Sequence, residues 1–341
     1  MTNKTYHRPA GLVFGPDAEA LIKEGRGGSL GGLSAVSYTL VEVIERDGER
    51  IDRRFEPYTR ERALPLPATV PAQRPLVMGI VNVTPDSFSD GGKNAETETA
   101  VASGIRMAKE GADILDVGGE STRPGSEGIS EDQELARIIP VIEGLVQEGL
   151  KVSCDTRKAR VMDEALKAGA SIINDVSALT HDPHAIPLLV KADCPVVLMH
   201  AQGDPRTMQL NPTYDDVALD VFDALEARIA AAVSGGIALN RLIADPGIGF
   251  GKTFRHNVDL LNQFTLFHGL GVPLLMGLSR KGFIGALTGE KVAGNRVYGS
   301  VGGALWSALN GAQILRVHDV KATVEALAVA WAAADPEESG L

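Results

Sequence analysis

From residue 76 to residue 334 the chain repeats one pattern. A short apolar run gives way to a polar or glycine-rich break, then to a longer stretch with apolar residues three or four apart. The short runs lie at 76–83, 114–117, 152–154, 172–173, 196–199, 242–244, 274–276 and 314–317. Apolar character without alternation predicts strands covered on both faces, as in parallel sheets. The intervening stretches predict helices. Val217, Val221, Leu225 and Ile229 recur every fourth residue until Gly235 and Gly236 stop the run. Val320, Val324, Leu327, Ala328 and Trp331 form one stripe of a last helix, with Asp319 as its N-cap. Ser130 and Gln133 predict a capping box opening another helix, which Pro140 should kink. Eight strands, each followed by a helix, predict an α/β protein of the (β/α)8 barrel class, the TIM barrel. A doubly wound open sheet shares the alternation; the count of eight favours closure.

Residues 1–74 break the pattern. There, 38–44 and 50–55 flank Asp47-Gly48, a turn pair that predicts a β-hairpin. Pro65, Pro67, Pro71 and Pro75 then predict an extended connector. The expected division is an N-terminal extension and connector over 1–74, a barrel over 75–335 and a tail over 336–341. The bland role for the extension is to pack on the barrel or on a second copy of the chain.

Composition narrows the partners. Of 341 residues, 44% are hydrophobic and 23% charged, enough to bury a sizeable core. No apolar run reaches the ~18–20 residues of a membrane span, and Met1-Thr2-Asn3-Lys4 does not begin a signal peptide. Cys154 and Cys194 make no disulfide framework and suit a cytoplasmic protein. The net charge of −11 argues against nucleic acid and anionic membrane as partners. It is unevenly spread: residues 1–74 hold 11 basic and 10 acidic residues, the remainder 22 and 34. An anionic small substrate would need a local gathering of cations.

The chemistry lies where the strands end. In order, the runs finish on Asn82, on Asp116 with Glu120, on Asp155, on Asn174 with Asp175, on His200, on Asp245, on Ser279-Arg280-Lys281 and on Arg316 with His318. A lone Asp there is more often a helix cap; eight in succession predict a polar pocket at the C-terminal mouth of a barrel. Gly247-Ile248-Gly249-Phe250-Gly251-Lys252-Thr253 ends like a phosphate loop, but Pro246 stands where its first glycine belongs. It reads as a glycine-rich loop that lets backbone approach a ligand. His181, His184 and His200 lack zinc spacing, and no G-x-S-x-G appears. The loops 82–92 and 118–127, rich in small polar residues and glycine, have the composition of a lid or of plain surface loops.

These segments resemble the hallmarks of dihydropteroate synthases. Met78-Gly79-Ile80-Val81-Asn82-Val83-Thr84-Pro85-Asp86-Ser87-Phe88-Ser89-Asp90-Gly91-Gly92 is similar to the first, and Asp116-Val117-Gly118-Gly119-Glu120-Ser121-Thr122-Arg123-Pro124-Gly125 to the second. Ser153-Cys154-Asp155-Thr156, Ile173-Asn174-Asp175, Met199-His200, Asp245-Pro246-Gly247-Ile248-Gly249-Phe250, Ser279-Arg280-Lys281 and Arg316-Val317-His318-Asp319-Val320 follow in the family's order. The resemblance covers about 76–334 and leaves 1–74 uncovered.

The resemblance implies a pterin-binding barrel, a homodimer using Mg2+. It implies a transferase of folate biosynthesis that joins 6-hydroxymethyl-7,8-dihydropterin pyrophosphate to p-aminobenzoate and releases pyrophosphate. Asp245 would accept the paired donors of the pterin, Asn174 and Asp155 would meet its ring nitrogens and Lys281 its carbonyl. Arg316 and His318 would face the pyrophosphate, and Asn82 would give Mg2+ a neutral oxygen. Phe88, Asp90, Thr122, Arg123 and Pro124 would close on the p-aminobenzoate, with Phe250 and Ser279 also lining the substrates. One departure stands out: where family members often carry a serine after Ser-Arg-Lys, this chain has Gly282, whose backbone N–H would hold the p-aminobenzoate carboxylate. Two other readings are a methyltetrahydrofolate-dependent methyltransferase, which shares the barrel, and a non-catalytic pterin-binding paralogue.

Overall fold

The computed structural model describes residues 3–69, 74–83, 93–121, 126, 128–203 and 207–334, without the side chains of 93–95. Eight parallel strands build the larger sheet: β5 (Leu76–Asn82), β6 (Ile114–Gly118), β7 (Val152–Asp155), β8 (Ile172–Asp175), β9 (Val196–Met199), β10 (Leu242–Asp245), β11 (Leu275–Met276) and β12 (Ile314–Val317). They run in the order β10-β9-β8-β7-β6-β5-β12-β11. A parallel bridge from Ala244 to Leu274 joins the two ends and closes the barrel. All eight expected runs are strands. Several extend by one or two residues, so that Asp155, Asn174, Asp175 and Asp245 are themselves last-turn strand positions.

The helices follow their caps. In α3 (Glu131–Gln147) the Ser130 side chain accepts from the Gln133 N–H and the Gln133 side chain accepts from the Ser130 N–H. This helix continues through Pro140. In α6 (Val217–Ser234) Val217, Val221, Leu225 and Ile229 are buried as the spacing required, and Asp216 caps the start. The last helix, α10 (Val320–Ala334), departs from expectation. Thr323 joins Val320 and Leu327 on the buried face, whereas Ala328 is exposed. The Asp319 carbonyl accepts from the Thr323 N–H, but its carboxylate serves Arg280 at 2.5 and 3.0 Å rather than the helix. An ion pair with a guanidinium outcompetes an N-cap bond.

The extension is larger than a hairpin. The hairpin itself is β3 (Leu33–Asp47) and β4 (Arg50–Pro57), with Asp47 paired to Arg50 across Gly48 and Glu49. On the other side β3 pairs with β1 (Lys4–Phe14), whereas β2 (Gly28–Leu30) pairs with the start of β3 on the same side as β4, and α1 (Gly15–Glu24) joins β1 to β2. This antiparallel sheet has a small core of its own, built from Leu30, Leu33, Val36, Tyr38, Val41, Val43 and Leu64. Tyr6 and Ile44, paired across β1 and β3, instead join the core of the barrel. Tyr6 meets Phe222 edge to face at 5.6 Å, and Lys4 and Arg46 pair with Asp223 and Asp220 on α6. The Thr265 hydroxyl donates to the Pro9 carbonyl, and the Gln313 amide to the Gly31 carbonyl. No described helix is long and apolar enough to cross a membrane.

Candidate active site

Strand alternation builds the pocket. Met78, Ile114, Ile172, Val197, Ile243, Leu275 and Ile314 form one apolar cluster inside the barrel. Side chains two residues further along a strand face the same way, one layer nearer the C-terminal mouth. That next layer is Ile80, Asp116, Asn174, Met199, Asp245, Gly277 and Arg316, with Asp155 in register beside Asn174. A dry layer thus supports a polar one. Four of the expected residues, Asp155, Asn174, Asp245 and Arg316, come together here.

Their contacts define the chemistry. Arg316 donates from Nε to Asp116 Oδ2 at 2.6 Å and from Nη2 to Asp155 Oδ2 at 2.8 Å. Asn174 donates from Nδ2 to the same Asp116 oxygen at 3.0 Å. Burial pushes the Asp155 carboxyl up to about 7, further than the Arg316 charge pulls it down. Burial also raises Asp245, against the opposing charge of Lys281. Its Oδ1 accepts from the Gly247 N–H at 2.7 Å. Its Oδ2 borders the space beside Gly277, where a Cβ would sit 3.8 Å from that oxygen and 3.7 Å from Arg316 Cβ. Glycine therefore leaves room between Asp245 and Arg316 that an alanine methyl would fill in ordinary contact.

The Ser-Arg-Lys segment sends its three side chains in three directions. Ser279 Oγ lies 3.1 Å from His318 Nδ1 and accepts from the His318 N–H. Arg280, at φ 59°, turns away to Asp319. Lys281 stands at the start of α8 (Gly282–Thr288), donates to the Ile248 carbonyl and lies 4.5 Å from the centre of the Phe250 ring. Burial lowers its pKa to about 8, with Asp245 opposing. A Cβ at Gly282 would meet nothing within 4 Å, so the lost serine was not excluded by space. Asn82 ends β5, half-buried.

Three features carried no role in the sequence reading. Asp116 was visible there only as a strand end. Lys252 is buried, lies 2.8 Å from His200 Nδ1 and donates to the Phe250 carbonyl at 3.0 Å. The loop after β10 hugs that histidine: at Gly247, φ 68°, a Cβ would stand 1.9 Å from the His200 carbonyl oxygen. Glu120 pairs with Lys158 and, at 2.6 Å, with Arg157, while Lys158 also reaches Glu134 at 2.6 Å and the Ile129 carbonyl at 2.7 Å. These ions tie the two flanks of the 118–129 connection to the segment that follows β7, and only their spatial neighbours reveal it. Phe88, Asp90, Thr122, Arg123 and Pro124 lie outside the described residues.

Residues 78–318 match the family of pterin binding enzymes. Among curated relatives, the dihydropteroate synthase of Neisseria meningitidis serogroup B is 51% identical over 266 residues, 76% of this chain and 93% of that protein. Among solved structures, the dihydropteroate synthase of Xanthomonas albilineans with 4-aminobenzoic acid superposes with a TM-score of 0.73 at 53% identity, over 76% of this chain and 93% of that one. The same enzyme in complex with 7,8-dihydropteroate gives 0.71 at 50%, over 78% and 95%. With a family match across the barrel and half of its residues shared with those enzymes, the chain belongs to the dihydropteroate synthases of the pterin-binding enzyme family.

Proposed function

We propose that the barrel mouth joins 6-hydroxymethyl-7,8-dihydropterin pyrophosphate to p-aminobenzoate, in a cytoplasmic homodimer that uses Mg2+. The observation that carries the residue roles is the polar layer, where Asp155, Asn174, Asp245 and Arg316 come together. A pterin offers an amide N–H beside an exocyclic amine, two parallel donors that the Asp245 carboxylate accepts together. Asn174 and Asp155 take ring N–H groups, and Lys281 donates to the ring carbonyl. A ring without this donor pattern leaves buried groups unpaired and is rejected.

The arylamine is neutral at pH 7 and already nucleophilic, so it needs no strong base. Its nitrogen bonds to the methylene carbon, the bond from that carbon to the pyrophosphate oxygen breaks, and the nitrogen loses a proton. Positive charge grows on the methylene, and the carboxylates of the polar layer stabilise it. Arg316 holds a place the strand pattern did not convey. Two of its five N–H donors are committed to Asp116 and Asp155, so it frames the ring and has fewer donors left for the anion. His318 at the rim carries more of the pyrophosphate contact. Asn82 fits Mg2+ as a single neutral oxygen, with pyrophosphate oxygens and water completing the shell; the ion would neutralise the departing charge. The Gly282 N–H, at the start of α8, would meet the p-aminobenzoate carboxylate.

A second copy of the chain has a surface that suits it. A groove of about 390 Å3 between α7 (Phe254–Asn262), α8 and α9 (Val297–Leu309) is lined by Val258, Leu261, Phe283, Ile284, Leu287 and Trp306.

Purified protein given both substrates and Mg2+ should release pyrophosphate and form dihydropteroate. Folded protein that releases none would overturn the reading. Lys281→Ala and Asp245→Ala should each weaken pterin-pyrophosphate binding by about 100-fold or more without moving the melting temperature down by a comparable margin.

A further inference from the structure

Asp116 lies at the centre of the polar layer and is fully buried. Its Oδ2 accepts from both Arg316 Nε and Asn174 Nδ2, while its Oδ1 is buried with no partner among the described residues. A buried carboxylate oxygen left unpaired costs stability. What the residue contributes must therefore be sought in what it organises. Asn174, Asp116, Arg316 and Asp155 form one chain of hydrogen bonds across β8, β6, β12 and β7.

We propose that Asp116 is a positioning residue for the pterin, fixing which atoms of Asn174 and Asp155 face the ring. The proposal rests on the pterin reading above. An ionised carboxylate only accepts, so Asn174 must turn its amide nitrogen to Asp116 and leave its carbonyl oxygen to accept from the ring. The terminal torsion of asparagine is soft, and without that anchor the amide can turn over and present a donor instead. Arg316, held by Asp116 through Nε, reaches Asp155 through Nη2 and occupies its Oδ2. The other Asp155 oxygen is left for a ring N–H. One carboxylate thus makes two neighbours into acceptors.

Asp116→Leu keeps the volume close and removes both bonds. Calorimetry with 6-hydroxymethyl-7,8-dihydropterin pyrophosphate should show binding weakened about 10- to 100-fold, with the pterin KM rising and the p-aminobenzoate KM unmoved. Asp116→Asn, whose amide oxygen can take the same two bonds, should recover most of that loss. A folded leucine variant that binds the pterin as the parent does would overturn the proposal, as would an asparagine variant as weak as the leucine one. Should leucine prevent folding, the parent protein still decides. Its Asn174 side-chain amide, identified by loss of its nuclear magnetic resonance signals in Asn174→Ala, should exchange slowly with solvent; fast exchange would refute the anchor. A parent that binds no dihydropterin would instead sink the functional reading.

Discussion

The two residues that bracket the pterin in this scheme titrate close to neutrality, from opposite directions. Burial lifts Asp155 to about 7 and lowers Lys281 to about 8. Asp155 accepts from a ring N–H most strongly when ionised, so its contribution grows as pH rises through its pKa. Lys281 attracts the ring carbonyl most strongly when charged, so its contribution fades as pH rises through its own. The value of kcat/KM for the pterin substrate should follow a narrow bell with its top between these limits. Lys281→Arg, charged throughout, should lose the alkaline limb and keep the acid one. Pyrophosphate ionisation is common to parent and variant, so the difference between their profiles isolates the lysine; identical alkaline limbs would refute the assignment. Much of this pocket was legible in the sequence, because Asn174, Asp155, Asp245, Lys281 and Arg316 all end apolar runs. Less legible was which of them touch. Arg316 stands two residues beyond Ile314 as Asp116 stands two beyond Ile114, yet only the strand order β6-β5-β12 brings their layer together. That arrangement joins Arg316, read as an anion contact, to Asp116 and Asp155.

At the level of elements, the barrel strands were readable because parallel strands covered on both faces are plain apolar runs. The extension was readable only at its hairpin. β1 carries Pro9 and Gly11, tolerable because β1 pairs with β3 alone and Pro9 needs to donate nothing outward. α1 opens on Gly15-Pro16, a pair that reads as a turn until it is seen to start a helix. The way this sheet is fixed makes it part of the barrel's stability. Gly31 has φ 59°, and a Cβ there would stand 2.4 Å from Gln313 Nε2 and 2.8 Å from the His268 ring. Gln313 bonds the Gly31 carbonyl at 2.9 Å and the Leu274 N–H at 2.7 Å. Gln313→Ala would leave both backbone groups buried and unpaired, a loss of about 2–4 kcal/mol. Gly31→Ala adds strain to the same joint. Each should lower the melting temperature by several degrees within one cooperative transition, with kcat close to the parent's. Two separate transitions, only one of them shifted, would show that the extension folds apart from the barrel.

Across the whole molecule, the acidic surplus lies in the part of the chain that forms the barrel, with 22 basic against 34 acidic residues from 75 onward. Two copies of such a body repel at long range, so association must come from apolar burial at close range. In the proposed dimer the groove between α7, α8 and α9 would supply it. Leu287 is 62% exposed, Trp306 49% and nearby Tyr298 91%, a concentration of large apolar side chains that water alone does not favour. In a two-fold dimer each of these residues is used twice, so one substitution acts at two places. Leu287→Glu costs little in a separate chain, where the side chain already meets solvent. In a dimer it would bury two carboxylates against an apolar surface. Sedimentation should therefore find the parent at roughly twice 36.0 kDa and the variant at 36.0 kDa. Salt should tighten the parent dimer by screening the repulsion between acidic surfaces. Every pocket residue proposed above belongs to a single chain, so the separated variant should still release pyrophosphate. A variant that sediments with the parent would remove this groove as the contact, and a parent that sediments as a single chain would remove the dimer.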